Sequence, residues 1–321
     1  MNQTLTAIHG IAVGHAQDEE SLTGCTVVLL PDGTTCGVDV RGGGPGTRET
    51  DLLDPSAMVQ HVHAICLAGG SAFGLAAATG VMAWLHERGI GFDTGSARVP
   101  IVPAAVLFDL GMGARDRWPD EAMGRAACAV ASTAPVPEGT IGAGTGASVG
   151  KIFGMAAATK SGVGSAALQL PGGVSIAALA VTNAFGDVRR EDGTILAGAR
   201  QDDGGFVDTA AFLRSEQARV MFGGLNTTLA VVGTDATLDK AGCRKLAQMA
   251  QDALARTIRP IHTPFDGDIV FAVATNARPA PHMTMLGSAA ADVLAAAIMR
   301  SVTTATAAGG LPAIRDLPQH T

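Results

Sequence analysis

The order of strand-like and helix-like segments is the feature that most constrains the fold of this chain. Apolar runs at 25–40, 174–190 and 227–235 are typical of buried β-strands. The segment 238–258 carries apolar residues at helical spacing, and 285–300 is a second Ala-rich helix. Along the sequence, predicted strands follow one another directly before helices appear. We therefore expect a layered α+β sandwich rather than a regular alternation of strands and helices in βαβ units.

Three shorter stretches add local detail to that expectation. The run "CTVVLLPDGTTCGVDV" at 25–40 predicts an antiparallel hairpin around its Pro-Asp-Gly turn. The run "HAICLAGGS" at 63–71 predicts a short buried strand that ends in a glycine turn, with Ser71 as the N-cap of the next helix. A further buried strand is predicted for "GDIVFAVAT" at 267–275.

The composition favours one domain over residues 1–321 and excludes one class of partner. No Pro/Gly/Ser linker or charge run divides the chain, and its 42 glycines are spread throughout. The hydrophobic content of 47% comes largely from Ala, and Tyr is absent, so closely approaching layers are expected. The net charge is -7 and the Lys and Arg residues are scattered, which is unlike a nucleic-acid-binding protein.

The cysteines and the apolar segments favour a cytoplasmic protein with no membrane partner. The five cysteines are isolated and form no Cys-x-x-Cys pair, which argues against a disulfide framework or a zinc ribbon. The first 25 residues contain no apolar run of signal-peptide length. The late stretch "LGSAAADVLAAAIM" is interrupted by Asp292, and its length predicts that it does not span a bilayer.

Neither a nucleotide nor a metal cofactor is expected. The glycine-rich "GAGTGASVGK" at 142–151 departs from a P-loop, because Thr145 and Ile152 stand where that motif needs Gly and Ser or Thr. The chain has eight histidines, but none belongs to a set with helical metal-ligand spacing.

The stretch "GGLNTTLAVVGTDA" at 223–236 has two interpretations. Gly and Asn can form a turn, after which two threonines begin a β-strand. Alternatively, the bond between Asn226 and Thr227 is a cleavage site, since a hydroxyl beside a strained amide can undergo an N-to-O acyl shift. Cleavage would leave Thr227 with a free amino group, which makes it nucleophile and base in one residue.

Four other polar side chains have both an ordinary and a functional interpretation. Asp266 and Asp268 in "FDGD" would share one strand face about 7 Å apart, and such close like charges raise one carboxyl pKa. Asn183 ends an apolar strand, where its amide could donate to an oxyanion. Lys151 follows the glycine-rich loop. Taken singly, each is also compatible with a solvated turn or surface position.

Seven stretches in this order resemble the L-aminopeptidase/D-esterase (DmpA-like) family, which includes β-peptidyl aminopeptidases and nylon-oligomer hydrolases. They extend from Gly24 to Thr275 and read "GCTVVLLPDGTTCGVDVRGGGPGTRETDLL", "HAICLAGGSAFGLAAATGVMAWL", "VPIVPAAVLFDLG", "GAGTGASVGK", "AVTNAFGDV", "NTTLAVVGTDATLDK" and "IHTPFDGDIVFAVAT".

The resemblance implies a four-layer αββα sandwich similar to that of N-terminal-nucleophile hydrolases. It also implies self-cleavage between Asn226 and Thr227 into an α chain, 1–226, and a β chain, 227–321. Thr227 would become the nucleophile, and its α-amino group, with an unperturbed pKa of roughly 7.7 to 8.0, suits a general base near neutral pH.

The resemblance assigns roles to the other site residues as well. Lys151 and Asn183 would line the site, with Asn183 as the oxyanion donor, while Asp266 and Asp268 would orient the Thr227 amine and hydroxyl. Phe108 in "AVLFDL" would line the substrate pocket at a position where some members of the family have a tyrosine. The resemblance further implies a homo-oligomer, a tetramer of processed α/β units.

Three functions remain open from the sequence. The first is an autoprocessed amidohydrolase that cuts short peptides or amino-acid amides through an acyl-Thr227 intermediate, with internal cutting of nylon-type oligomers as the variant. The net charge of -7 favours a substrate with a free amino group. The second is an acyltransferase of the ornithine-acetyltransferase type, and the third is a ligand-binding protein that never cleaves.

Overall fold

The computed structural model describes residues 2–114, 116–202, 204–220 and 226–318. Its strands, in chain order, are β1 (Ala12–Asp18), β2 (Thr23–Leu29), β3 (Thr35–Val40), β4 (Gly46–Arg48), β5 (Ala64–Ala68), β6 (Phe92–Asp93), β7 (Arg98–Val99), β8 (Ala104–Val106), β9 (Ser148–Val149), β10 (Thr159–Lys160), β11 (Val163–Gln169), β12 (Ser175–Asn183), β13 (Asp187–Arg189), β14 (Ile195–Ala197), β15 (Ala199–Arg200), β16 (Phe206–Val207), β17 (Thr227–Ala236), β18 (Ile258–Arg259) and β19 (Ile269–Arg278).

Helices are present at both segments where the sequence analysis predicts them, 238–258 and 285–300. The α-helices are α1 (Ala76–His86), α2 (Glu121–Ala129), α3 (Thr209–Phe212), α4 (Lys240–Thr257) and α5 (Met283–Thr303). Short 3-10 helices cover Leu5–Ala7, Asp51–Leu53, Ser71–Leu75, Gly142–Gly144, Met155–Ala157, Glu216–Val220 and Ile314–Asp316.

Two five-stranded sheets form the centre of the molecule. The first has the strand order β1-β2-β5-β8-β4 and the second has the order β11-β12-β17-β19-β3. Neighbouring strands are antiparallel except for the parallel pairs β5–β8 and β17–β19. Smaller two- and three-stranded sheets are formed by the remaining strands.

Three apolar layers separate four layers of secondary structure. Side chains from α1 and α2 pack with one face of the first sheet, and those from α4 and α5 pack with one face of the second. The remaining faces of the two sheets pack against each other. Strand β17 shows the required alternation, because Leu229 and Val231 face the other sheet while Ala230 and Val232 face the helices. The expected four-layer αββα sandwich is confirmed.

The predicted hairpin at 25–40 is wrong, although both of its strands exist. β2 lies in the first sheet between β1 and β5, whereas β3 lies at the edge of the second sheet beside β19. The Pro-Asp-Gly turn therefore carries the chain from one sheet to the other. A local turn signal cannot distinguish the two outcomes, because Gly33 adopts a left-handed conformation (φ 76°) that either connection can use.

The predicted N-cap at Ser71 is also wrong. Ser71 begins a 3-10 helix and makes no side-chain capping bond, while Gly70 before it is in the left-handed conformation. The amide of Gly70 is instead bound by the carboxylate of Asp109 at 2.7 Å. A tertiary partner thus replaces the local cap that the sequence predicts.

Helix α5 is longer than the interrupted apolar run suggested. With 21 residues, it is long and apolar enough to span a bilayer by composition, and 67% of its most apolar window is buried inside the protein. It packs on β11 and β12, so its apolar surface has a partner within the fold. The five cysteines are all buried free thiols.

Candidate active site

Thr227 and Asn183 are brought together by strand pairing. They form the last pair of the antiparallel ladder between β17 and β12. Directly opposite residues project to the same face of a sheet, and Leu229, two residues after Thr227, faces the other sheet. Thr227 and Asn183, 4% and 0% exposed, therefore lie between the two sheets at the end of the central core.

The hydroxyl of Thr227 lies against the carbonyl group of the preceding residue. Its Oγ1 donates to the Asn226 carbonyl oxygen at 2.5 Å. The Gly267 amide donates to the same oxygen at 2.8 Å, and the Asn226 amide donates to the Phe265 carbonyl at 3.1 Å. The carbonyl of the Asn226–Thr227 bond therefore accepts from both a side-chain hydroxyl and a main-chain amide. The glycines and leucine of the predicted cleavage motif, 223–225, lie outside the described residues.

Lys151 binds both oxygens of Asn183. Its Nζ donates to Asn183 Oδ1 at 2.6 Å and to the Asn183 carbonyl at 3.2 Å. Ser148 donates its amide to the same Oδ1 at 3.2 Å, and Asn183 Nδ2 donates to the Phe108 carbonyl at 3.0 Å. An amide side chain carries two N–H bonds, and the contact with the Phe108 carbonyl uses one of them.

The pKa of Lys151 is shifted into the neutral range. Burial lowers the pKa of its ammonium from 10.5 to about 7, while the charges of Asp266 and Asp109 oppose that shift. Desolvation dominates because the charged form loses more hydration than the two carboxylates restore. A large fraction of Lys151 is therefore uncharged near pH 7 and able to accept a proton.

The strand predicted to carry Asp266 and Asp268 begins only after them. Both residues precede β19, which begins at Ile269, and Asp266 follows a turn in which its amide donates to the Thr263 carbonyl. Asp266 is almost fully buried and accepts from the Thr263 amide at 2.7 Å. Its pKa is raised, first by burial and second by the charge of Asp268.

Asp268 contacts Thr228, the residue after Thr227. Its Oδ1 accepts from the Thr228 amide at 2.8 Å, and its Oδ2 accepts from the His262 ring at 2.9 Å. The resemblance had assigned Asp268 to Thr227 directly. His262 was missed, although its position six residues before Asp268 in "HTPFDGD" was a signal that could have been followed.

Phe108 contributes its main chain to the site through the carbonyl that orients Asn183, and its ring is half-buried. The next residue, Asp109, accepts from Thr23 Oγ1 at 2.8 Å as well as from Gly70. Burial raises the pKa of Asp109 to about 6. Sequence reasoning had not selected Asp109, because only the tertiary structure places it near Lys151.

The glycine-rich loop at 142–151 is explained by close packing. A Cβ at Gly150, where φ is 73°, would lie 2.0 Å from the Ala199 amide nitrogen. The buried Lys160 donates to the carbonyls of Gly144 and Ala147 at 3.1 and 2.7 Å and to that of Ser161 at 2.6 Å. These bonds fasten the loop that carries Ser148 and Lys151 to the site.

No metal centre is evident in the part of the chain that the structure describes. Within those ranges, His, Cys, Asp and Glu side chains form no group of three or more that could bind a metal ion.

Comparison with protein families and curated relatives gives a consistent result. Residues 3–313 match the family model described as Peptidase family S58. An uncharacterized aminopeptidase of Mycobacterium bovis is 44% identical, with 98% of this chain and 97% of the relative covered. A 6-aminohexanoate-oligomer endohydrolase of an Agromyces strain is 33% identical, with 91% of this chain and 84% of the relative covered.

Solved structures share the fold. A β-aminopeptidase of a Burkholderia species superimposes with a TM-score of 0.71 at 21% identity, covering 98% of this chain and 91% of the other. An L-aminopeptidase D-Ala-esterase/amidase of Ochrobactrum anthropi, described as a new variant of the Ntn hydrolase fold, gives a TM-score of 0.71 at 20% identity, covering 99% and 90%.

The two adjacent threonines face opposite sides of the sheet, so their alanine variants should differ. Thr227→Ala should abolish cleavage at this bond and amide hydrolysis, since it removes the hydroxyl that contacts the Asn226 carbonyl. Thr228→Ala should still be cleaved, because Thr228 pairs with Thr182 on the side of α5. Intact-mass measurements and an amidase assay of both variants test this assignment, and normal cleavage of Thr227→Ala would refute it.

The lowered pKa of Lys151 predicts the pH dependence of cleavage. If neutral Lys151 accepts the Thr227 proton, the rate should rise between about pH 6 and about pH 8 with a midpoint near the Lys151 pKa of about 7. Lys151→Met should be slow at every pH, while Lys245→Met, a change of an exposed lysine on α4, should follow the wild-type profile. A flat wild-type profile over this range would exclude Lys151 as the proton acceptor.

Proposed function

Because the chain belongs to peptidase family S58, we propose that it is a self-processing amidohydrolase that cuts amide bonds of short peptides or amino-acid amides. Thr227 is the nucleophile in this proposal. The observation that carries it is the contact of Thr227 Oγ1 with the Asn226 carbonyl, whose oxygen also accepts from the Gly267 amide.

Maturation proceeds in two steps at this bond. Thr227 Oγ1 attacks the Asn226 carbonyl carbon, the Gly267 amide stabilises the oxyanion, and the hydroxyl proton passes by way of a base to the Thr227 nitrogen as the C–N bond breaks. Lys151 is the candidate base. Water then hydrolyses the resulting ester, which leaves a carboxylate on Asn226 and a free amine and hydroxyl on Thr227.

Thr227 remains the nucleophile in the mature enzyme, where its new amine is the base. The Thr227 amine accepts the proton of its own hydroxyl as the hydroxyl attacks the substrate carbonyl, and the second N–H of Asn183 donates to the oxyanion. The proton then passes to the leaving amine, and water hydrolyses the acyl-Thr227 ester. Asp266, buried with a raised pKa beside Lys151, contributes to the electrostatic setting of these proton transfers.

Self-cleavage should convert the chain into fragments 1–226 and 227–321 that remain associated. β17 of the second fragment pairs with β12 of the first, and β19 pairs with β3, so the second sheet is complete only when both fragments are present. Denaturing mass spectrometry should detect both fragments, while native mass spectrometry should detect their complex. Full-length protein alone after prolonged incubation would contradict the proposal.

Two observations support this substrate class. The close relative from Mycobacterium bovis is named an aminopeptidase, and the net charge of -7 favours substrates that carry a free amino group. The 33% identity to a 6-aminohexanoate-oligomer endohydrolase favours internal amide cutting as the second candidate. We give priority to the aminopeptidase because charge and the more similar relative agree.

Blocking the substrate amine discriminates between the two candidates. Amino-acid p-nitroanilides and β-alanyl amides with free amino groups should be hydrolysed, and their N-acetylated forms should lose at least about tenfold in kcat/KM, which corresponds to one lost charge-assisted contact. The release of p-nitroaniline measures both. Equal rates on acetylated compounds would replace the aminopeptidase proposal by the internal-cutting one.

A further inference from the structure

His262 makes a contact that the proposed mechanism does not use. Its Nδ1 lies 2.9 Å from Asp268 Oδ2, and its main-chain amide donates to the same oxygen at 3.1 Å. Because a carboxylate only accepts, Nδ1 carries the proton in this contact. Asp268 is fully buried, and the other carboxylate oxygen accepts from the Thr228 amide at 2.8 Å.

The backbone at His262 is adapted to this contact. Its φ is 58°, a left-handed conformation that Asn, Asp and His adopt more often than other side chains and that Gly adopts freely. The ring is 19% exposed. The chain therefore accepts an unfavourable conformation at a residue whose ring and amide both bind one carboxylate oxygen.

The contact reaches the nucleophile through one planar peptide group. The Thr228 amide that Asp268 binds belongs to the same peptide unit as the Thr227 carbonyl, and this unit rotates as a rigid plate. Fixing its N–H direction limits the torsion at Thr227 and so the direction of Oγ1. Both donors to Oδ2, the ring N–H and the main-chain amide, come from His262, so loss of the ring N–H leaves this buried oxygen with one donor and allows the carboxylate to turn.

The same segment also clamps the bond to be cut. Between His262 and Asp268, the Phe265 carbonyl accepts from the Asn226 amide and the Gly267 amide donates to the Asn226 carbonyl. Segment 262–268 therefore contacts the chain immediately before and immediately after Thr227. A shift of this segment would displace the oxyanion donor and the nucleophile together.

We propose that His262 is a positioning residue for self-cleavage, because its ring N–H fixes Asp268, which fixes the Thr228 amide and thereby the Thr227 hydroxyl. This inference rests on the proposed self-cleavage at Thr227. The ring acts as a hydrogen-bond donor and touches neither the scissile carbonyl nor the nucleophile.

Two substitutions separate the ring N–H from the backbone conformation. His262→Gly removes the ring and relieves the left-handed strain, so any loss of rate reflects the lost donor. His262→Asn also tolerates this conformation and places an amide N–H near the position of Nδ1. The control is the same His→Gly change at His61, which is exposed and lies away from the site. His61 forms a bridge with Thr35 at the start of β3, whereas Ile269, the residue after Asp268, pairs with Val40 at the end of β3.

The experiment follows cleavage of full-length protein from cell-free synthesis by intact mass over time. Displacement of reacting groups by about 1 Å costs about 100-fold in rate, so His262→Gly should be about 100-fold slower than wild type. His262→Asn and His61→Gly should lie near the wild-type rate. Melting temperatures measured on the same samples show whether the slow variant is folded.

Each outcome bears on the inference. A folded His262→Gly that cleaves at the wild-type rate, or a His262→Asn as slow as His262→Gly, overturns it while leaving the proposed function intact. If His262→Gly does not fold, the cleavage rate of His262→Asn is compared with that of His262→Gln, whose amide reaches the position of Nε2 rather than that of Nδ1. Equal cleavage rates of these two variants overturn the inference. A wild-type chain that never cleaves overturns the proposed function, and this inference with it.

Discussion

The antiparallel pairing of β12 with β17 is the interaction on which the site depends. It places Asn183 directly opposite Thr227 at the last position of the ladder, where both side chains point between the sheets. The helices on the outer faces bury the alternate residues of the same strands, so a slip of one residue would turn Thr227 toward α5. The register of the core strands therefore also fixes the position of Thr227.

Burial determines the electrostatic properties of the site by shifting the pKa values of its ionisable side chains. Lys151, Asp109 and Asp266 are charged side chains placed where water is largely excluded, and burial is the largest cause of each pKa shift. Buried charged groups are tolerated only when they have hydrogen-bonding or charged partners. Lys160, beside the site, follows the same principle, because its ammonium group donates to three carbonyls. The result is a lysine and two carboxylic acids whose pKa values lie nearer neutrality than in water.

The sequence predicts the structure correctly where the pattern lies in residues that are close together along the chain. The strand at Thr227, helix α4 and the buried strand at Ile269 follow from local periodicity, and all are present. The hairpin at 25–40 and the cap at Ser71 were wrong for one reason. In both cases a distant partner, β19 or Asp109, competes with the local hydrogen bond that the pattern suggested.

The sequence alone determined the layered α+β class, the family resemblance and Thr227 as the candidate nucleophile, because periodicity and linear motifs are encoded in adjacent residues. Only the tertiary structure decided which groups surround that threonine. The Gly267 amide reaches the Asn226 carbonyl, and His262 reaches Asp268, through the connection between β18 and β19. Those contacts depend on main-chain direction in three dimensions, and residue types at a given spacing do not specify it.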